Sequence, residues 1–137
     1  MRDTGKVLVV DEDVNFLSSL KYALRAEPYD VWTVDTFERA LEIIEHNEIS
    51  VLILDIPEVN GLDFIQRILE KRPNLPIIVI SAFATSGMAI KAMDGGAYDF
   101  LTKPFDLEKI KTVIEDAIRT YNFSKKVGLP IEEPFPT

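Results

Sequence analysis

The feature that most restricts the fold of this chain is a strict alternation of short apolar runs with helix-length amphipathic segments. Five runs rich in Val and Ile are expected to be strands, at residues 6–10, 30–34, 50–54, 77–80 and 98–101. After each run, apolar residues recur at spacings of three and four, which predicts five helices. Three cover residues 14–25, 62–71 and 85–94, one follows an N-cap at Thr36 and runs to about His46, and one follows a cap at Asp106 and runs to about Tyr121. The alternation therefore predicts an α/β protein.

Strands that lack polar alternation are typical of a parallel sheet covered by helices on both faces. For five such units in 137 residues, the flavodoxin-like (βα)5 doubly wound parallel sheet is favoured, with strand order 2-1-3-4-5. The second run is more mixed and is expected at an edge. The Pro-rich segment after Tyr121 loses its helical period. Residues 1–121 are therefore predicted to form the domain, and residues 122–137 a linker or C-terminal tail.

Composition narrows the partners of this segment. Its formal net charge of −8 argues against direct nucleic-acid binding, which needs clustered Lys and Arg. The absence of Cys excludes disulfides and thiolate metal sites. No apolar stretch is long enough to cross a bilayer, and the first residues lack a signal core. The protein is expected to be cytoplasmic and free of membrane contact.

Polar residues follow the predicted strands where each strand ends. Asp11, Glu12 and Asp13 follow the first strand, Asp55 the third and Ser81 the fourth, and Lys103 follows the fifth. In doubly wound sheets, ligands bind beyond the carboxyl ends of the strands. Because strands 1 and 3 are expected to be neighbours, three carboxylates should converge beside a hydroxyl and an ammonium group.

This set of side chains suggests phosphoryl transfer. Clustered carboxylates need a cation, and Mg²⁺ binds one or two carboxylates together with phosphate and water. A carboxylate can act as the nucleophile while cations balance the transferred charge. Asp13 is better explained as a helix N-cap.

Four segments in this order and spacing resemble the receiver domain of two-component response regulators. They are VLVVDED, VLILD, IIVISA and AYDFLTKPF, and the last is similar to receivers of the nitrogen-regulator class of transcriptional activators. The resemblance covers roughly residues 5–121. It implies a phosphoprotein of a phosphorelay that regulates transcription, and not an enzyme that turns over an external metabolite.

The resemblance also implies a role for each strand-end residue. Asp55 would be the phosphoacceptor, and Asp11 and Glu12 the acidic pair that holds Mg²⁺. Ser81 would be the switch hydroxyl that turns toward the phosphoryl group. Lys103 would be the lysine that pairs with that group.

Further implications concern switching and partners. Pro104 would follow a cis peptide bond, and Phe100 would be the aromatic switch residue. A sensor histidine kinase would donate the phosphoryl group. The activated surface of helix 4, strand 5 and helix 5 would contact a partner or a second copy, forming a homodimer. An output domain would lie C-terminal to this segment.

The loop after Asp55 departs from the family pattern. Receivers usually reach a Met-Pro and then an Asp-Gly or Asn-Gly turn, whereas DIPEVNG at residues 55–61 is shorter by a pair of residues. The family's backbone carbonyl ligand to the metal falls on Pro57, whose fixed φ restricts its aim. We therefore expect weakened Mg²⁺ binding. The departure leaves open an alternative function, a pseudo-receiver that binds proteins without phosphorylation.

Three other functions fit the sequence less well. An aspartyl-phosphate phosphohydrolase normally has a second acid two residues after the nucleophile, where this chain has Pro57. A nucleotide-binding Rossmann domain would have a glycine-rich turn after the first strand, which this chain lacks. In a flavodoxin, the carboxylates after the first strand would repel the flavin phosphate.

Overall fold

The computed structural model describes residues 4–128, except for the side chain of Val59, and these residues form a five-stranded parallel sheet with helices on both faces. The strands are β1 (Lys6–Val10), β2 (Asp30–Val34), β3 (Val51–Asp55), β4 (Ile77–Ser81) and β5 (Asp99–Thr102). The helices are α1 (Val14–Ala23), α2 (Phe37–His46), α3 (Asp63–Lys71), α4 (Ser86–Asp94) and α5 (Leu107–Val127), and a 3-10 turn at Val59–Leu62 precedes α3.

The strand order is β2-β1-β3-β4-β5 and every pairing is parallel, as predicted. Val7 of β1 lies beside Val31 on one side and Val51 on the other, which places β2 at the edge. The strand order reverses at β1. The carboxyl ends of β1 and β3 are therefore neighbours, and the edge of the sheet beside them can hold a ligand.

The sheet separates two apolar layers. Side chains alternate between the faces of a strand, so Val7 and Val9 pack on one face of β1, and Leu8 and Val10 pack on the other. The first face is covered by α1 and α5, and the second by α2, α3 and α4. Because both faces of the sheet are buried, the inner strands consist almost entirely of apolar residues.

Side-chain caps fix the starts of α2, α4 and α5. Thr36 accepts a hydrogen bond from the backbone N–H of Arg39 at 3.2 Å, and Asp106 accepts one from the N–H of Glu108 at 3.3 Å. Both N-caps were predicted from the sequence. Thr85, predicted as the first residue of its helix, is the N-cap of α4 instead.

Several predicted bounds were wrong by one or two residues. The predicted strands 50–54 and 98–101 each lie one residue too early, and the predicted strand 77–80 lacks Ser81. The helix predicted over residues 14–25 ends at Ala23, where Leu24 takes a non-helical conformation. The helix predicted from residue 62 begins at Asp63, because a 3-10 turn occupies the four residues before it.

The predicted end of α5 near Tyr121 was also wrong, since the helix continues to Val127. Asn122 donates a side-chain hydrogen bond to the carbonyl of Thr4, and Ser124 is buried. Lys125 forms an ion pair with Glu48, which lies between α2 and β3. These contacts between distant parts of the chain extend the helix through a sequence with weak helical periodicity.

The chain after α5 was predicted to be a linker or tail. Gly128 ends the helix in a left-handed conformation with φ of 73°. The rest of the predicted tail lies outside the described residues. Among residues 4–128, no helix combines the length and the apolar character needed to span a membrane.

Candidate functional site

The carboxyl ends of four neighbouring strands bring together the polar residues singled out in the sequence. Asp11 directly follows β1, Asp55 ends β3, Ser81 ends β4, and Lys103 directly follows β5. Asp11 is only 4% exposed and Ser81 is fully buried. Burial of a carboxylate is costly unless a partner compensates its charge. The buried Asp11 carboxylate therefore requires a positively charged or hydrogen-bonding partner.

Lys103 provides that compensation by bridging two carboxylates. Its Nζ lies 2.5 Å from Oδ2 of Asp11 and 3.3 Å from Oδ1 of Asp55. The side chains are 19%, 3% and 15% exposed for Lys103, Asp11 and Asp55. The peptide bond between Lys103 and Pro104 is cis, as expected from the family resemblance.

The second oxygen of Asp11 is held by backbone. Asp11 Oδ1 accepts a hydrogen bond from the N–H of Asp13 at 2.9 Å. Asp13 in turn caps α1 by accepting from the N–H groups of Asn15 and Phe16. The predicted N-cap role of Asp13 is confirmed. The helix cap and the buried carboxylate therefore form one continuous hydrogen-bonded unit.

The pKa values of the two bridged groups reflect this crowding. Burial, followed by the negative charge of Asp11, raises the pKa of Asp55, and Lys103 offsets only part of this rise. Burial acts to lower the pKa of Lys103, but hydrogen bonds and charge from Asp11 and Asp55 outweigh it and raise that pKa. The ammonium group stays protonated, and Asp55 is less stable as a carboxylate than it is in water.

A cavity of about 480 Å³ opens beside Asp11 and Asp55. Glu12 and Pro57, both exposed, also line it. Among residues 4–128, no three or more His, Cys, Asp or Glu side chains are grouped as metal ligands. The oxygens available to a cation are those of the Asp11, Glu12 and Asp55 carboxylates and the Pro57 carbonyl. Such an all-oxygen set suits Mg²⁺, which commonly takes one or two carboxylates and completes its shell with water.

The hydroxyl of Ser81 is engaged locally. Ser81 Oγ accepts a hydrogen bond from the N–H of Phe83 at 3.2 Å. The Ser81 carbonyl accepts from the N–H of Lys103 at 2.9 Å, which ties the ends of β4 and β5 together. Ser81 is therefore joined to Lys103 through its backbone carbonyl, whereas its hydroxyl oxygen is bonded within the loop that follows β4.

The two predicted switch positions lie at β5 and just beyond it. Phe100 is half-buried and packs against the apolar layer beneath α2, α3 and α4. Its backbone N–H donates to the side chain of Asp99 at 2.7 Å. Pro104 is exposed after its cis bond. These placements leave their switching roles as predictions.

Sequence reasoning missed one residue of the site. The ring of Phe16 lies under the Lys103 ammonium, with Nζ 4.2 Å from the ring centroid. The available sequence signal was its position three residues after the Asp13 cap, because residue N3 of a helix lies in the first turn, close to the cap and the acidic residues beside it. Phe16 does not belong to the apolar stripe of Leu17, Leu20 and Leu24, so helical periodicity does not single it out.

Replacing Asp55 with asparagine is expected to raise the melting temperature by about 3–6 °C in metal-free buffer at pH 7. The pKa of Asp55 is raised above its usual 3.8, so its contribution to stability is complete below pH 3.8 and is lost as pH rises through the folded-state pKa. Asparagine removes that loss, and the gain should shrink as the buffer is acidified toward pH 4. Calorimetry across this pH range tests the sign.

The exposed Asp116 provides the control for this prediction. It pairs with Arg119 at 3.0 Å on the surface of α5, and such pairs contribute little. Asp116→Asn should leave the melting temperature nearly unchanged. A lower melting temperature for Asp55→Asn than for wild type at pH 7 would contradict the electrostatic description given above.

Sequence comparisons with known proteins identify a family for the chain. The family model described as Response regulator receiver domain matches residues 7–115. The chain is 35% identical over 116 residues to the DNA-binding transcriptional regulator NtrC of Bradyrhizobium sp. (strain RP501 Parasponia), covering 83% of this chain and 24% of that protein. It is 34% identical over 119 residues to the transcriptional regulatory protein BasR of Escherichia coli (strain K12), covering 85% of this chain and 54% of that protein.

A solved structure agrees with the sequence comparisons. The beryllofluoride-activated NtrC4 receiver domain dimer superposes with a TM-score of 0.79 and 36% identity, covering 85% of this chain and 98% of that one. The chain spans only 24% and 54% of the two curated regulators. The matched region, residues 7–115, contains all four strand-end residues of the site. The chain therefore belongs to the response regulator receiver domain family.

Proposed function

We propose that Asp55 accepts a phosphoryl group in an Mg²⁺-dependent reaction, and that this modification controls a surface of the domain. The observation that carries the proposal is the Lys103 bridge, which places an ammonium group 3.3 Å from an Asp55 oxygen. A cation in this position can neutralise charge on a phosphoryl group attached to Asp55. Family membership supports the same assignment.

In the proposed reaction, an oxygen of Asp55 attacks phosphorus of a phosphohistidine. The new O–P bond forms as the N–P bond breaks, and the histidine nitrogen leaves. Water later attacks phosphorus, releasing inorganic phosphate and restoring the carboxylate. No external metabolite is turned over. A sensor histidine kinase is the donor in this proposal.

Asp11, Glu12 and Asp55, with the Pro57 carbonyl, would hold the Mg²⁺ ion. When bound, that ion would supply positive charge to the phosphoryl oxygens. Lys103 supplies the second positive charge and remains protonated because its pKa is raised. Asp11 keeps the lysine close to Asp55 through the 2.5 Å contact.

The response to phosphorylation is proposed to travel through Ser81. The Ser81 hydroxyl, which accepts from the Phe83 N–H, would turn to donate its proton to a phosphoryl group on Asp55. Phe100 would then occupy the space that this movement vacates, and the surface of α4, β5 and α5 would change. That surface would contact an output domain or a second copy, as the NtrC4 receiver forms a dimer.

The experiment that tests the proposal is phosphorylation by a small donor. The folded domain is incubated with acetyl phosphate and Mg²⁺, and the intact mass is read beside Asp55→Asn and an EDTA control. Wild type should gain one labile phosphoryl group, and neither control should gain it. Folded wild type that stays unmodified would contradict the proposal and favour the pseudo-receiver, which the comparisons do not support.

A further inference from the structure

Phe16 makes a contact with Lys103 that the phosphoacceptor chemistry alone does not require. The ring lies in the first turn of α1 and is half-buried against the apolar layer beneath α1 and α5. Its centroid is 4.2 Å from Nζ of Lys103, within the range in which a lysine ammonium is attracted to an aromatic face. In the described part of the chain, Nζ contacts Asp11, Asp55 and this ring.

The position of the ring is fixed by the same elements that hold the acceptor site. Asp11 accepts from the N–H of Asp13, and Asp13 accepts from the N–H of Phe16 at 3.1 Å. Lys103 then contacts both the Phe16 ring and Asp11. The contacts close a circuit through four residues, so the Phe16 backbone is anchored to the same hydrogen-bonded unit as the Asp11 carboxylate.

A second aromatic side chain supports Phe16. Phe105 follows Pro104 and meets Phe16 edge to face, with centroids 6.0 Å apart and an interplanar angle of 84°. An edge-to-face pair is the favoured arrangement of two rings, because the positive edge of one meets the negative face of the other. The loop that carries Lys103 therefore also braces the ring that the lysine contacts.

We infer that Phe16 is a positioning residue, which holds the Lys103 ammonium at the acceptor carboxylate through its aromatic face. The inference deepens the proposed function and rests on it. An aromatic face attracts a cation without accepting a directed hydrogen bond. Lys103 can therefore turn its N–H groups from Asp11 toward a phosphoryl group while keeping this contact, whereas a third carboxylate would compete for those N–H groups.

The test uses fluorinated phenylalanines introduced at position 16 alone. Successive fluorination weakens the negative face of the ring with little change in size. The phosphorylation rate with acetyl phosphate and Mg²⁺ should fall stepwise, by about 3- to 10-fold at trifluorophenylalanine. Phe16→Leu should lose at least as much, and Phe16→Trp should retain the rate. The same series at the exposed Phe123 of α5 should leave the rate unchanged.

If wild type is phosphorylated but the phosphorylation rate does not change across the series at position 16, the inference is overturned. That result would mean that Phe16 only fills space, because packing is nearly constant through the series. Equal rate losses at positions 16 and 123 would also overturn it, since Phe123 is far from the site along α5.

A measurement without phosphorylation separates this inference from the proposed function. In metal-free buffer, a double-mutant cycle of Phe16→Leu and Lys103→Met should show a favourable coupling, about 3- to 10-fold in the unfolding equilibrium constant. If wild type gains no phosphoryl group but the coupling is present, the proposed function fails and the positioning contact stands. An additive cycle overturns the contact whatever the phosphorylation result.

Discussion

Replacing Lys103 with methionine is expected to lower the free energy of unfolding by about 3 kcal/mol in metal-free buffer at pH 7. Methionine keeps much of the length and the apolar stem but removes the charge. Asp11, only 4% exposed, would lose its one ion-pair partner among the described residues, and Asp55 would face Asp11 without compensation. Leaving a buried charge unpaired is among the more destabilising single changes. Urea unfolding monitored by circular dichroism measures the effect.

Lys71 provides the matched control for this prediction. It pairs with Glu45 at 2.8 Å, but both side chains are about half exposed, at 48% and 46%. Lys71→Met should therefore cost less than about 1 kcal/mol. The deficit of Lys103→Met should shrink on acidification, as the carboxylates take up protons. If the two variants lose equal stability at pH 7, the lysine bridge is not what compensates Asp11.

Replacing Ile56 with alanine is expected to cost about 3 kcal/mol and to lower the melting temperature by about 10 °C. Ile56 directly follows the acceptor and is 1% exposed. A Cβ built on Gly61 would lie 2.8 Å from its Cγ2, so the far end of the short loop packs tightly against this side chain. Truncation would leave a cavity beneath the loop that carries Pro57. Thermal unfolding measures the loss.

Ile90 is the matched control, because it carries the same side chain on α4 but is 61% exposed. Ile90→Ala should change the free energy of unfolding by about 0.5 kcal/mol or less. Similar losses for the two variants would show that Ile56 does not anchor the loop.

The strand-end residues could be predicted from sequence because topology alone brings them together. Once the alternation gave the order 2-1-3-4-5, Asp11 and Asp55 had to lie at adjacent strand ends. The bridge itself could not be predicted. Whether Lys103 contacts Asp11, Asp55 or solvent depends on side-chain conformations that follow from the packing of the whole loop.

The end of α5 shows a different limit. Periodicity reports only the face that a helix buries against its neighbours. Beyond Tyr121, the helix is held by polar contacts to Thr4 and Glu48, residues far away in the chain. Such contacts leave no periodic signal, so the sequence indicated a tail where the structure has almost two further turns.

Phe16 could not be assigned from sequence for a related reason. Phe16 lies outside the apolar stripe of its helix, so helical periodicity gives no information about its contacts. Its contact with Lys103 joins two residues that are far apart in the sequence. The two side chains come together only because α1 and the loop after β5 pack on the same face of the folded sheet.

The length of α5 has a mechanical consequence. Its first turn begins four residues after Lys103, and Lys125 near its other end contacts Glu48. These ends are about 27 Å apart along the axis, at 1.5 Å per residue. If α5 tilts as a rigid rod, a rotation of about 5° about its N-terminal end, near Lys103, would displace the end that carries Lys125 by about 2 Å. The Lys125 and Glu48 side chains, which are 51% and 60% exposed, would have to change conformation to follow such a displacement. A small rotation of α5 near Lys103 would therefore change the geometry of the Lys125–Glu48 contact at the other end of the helix.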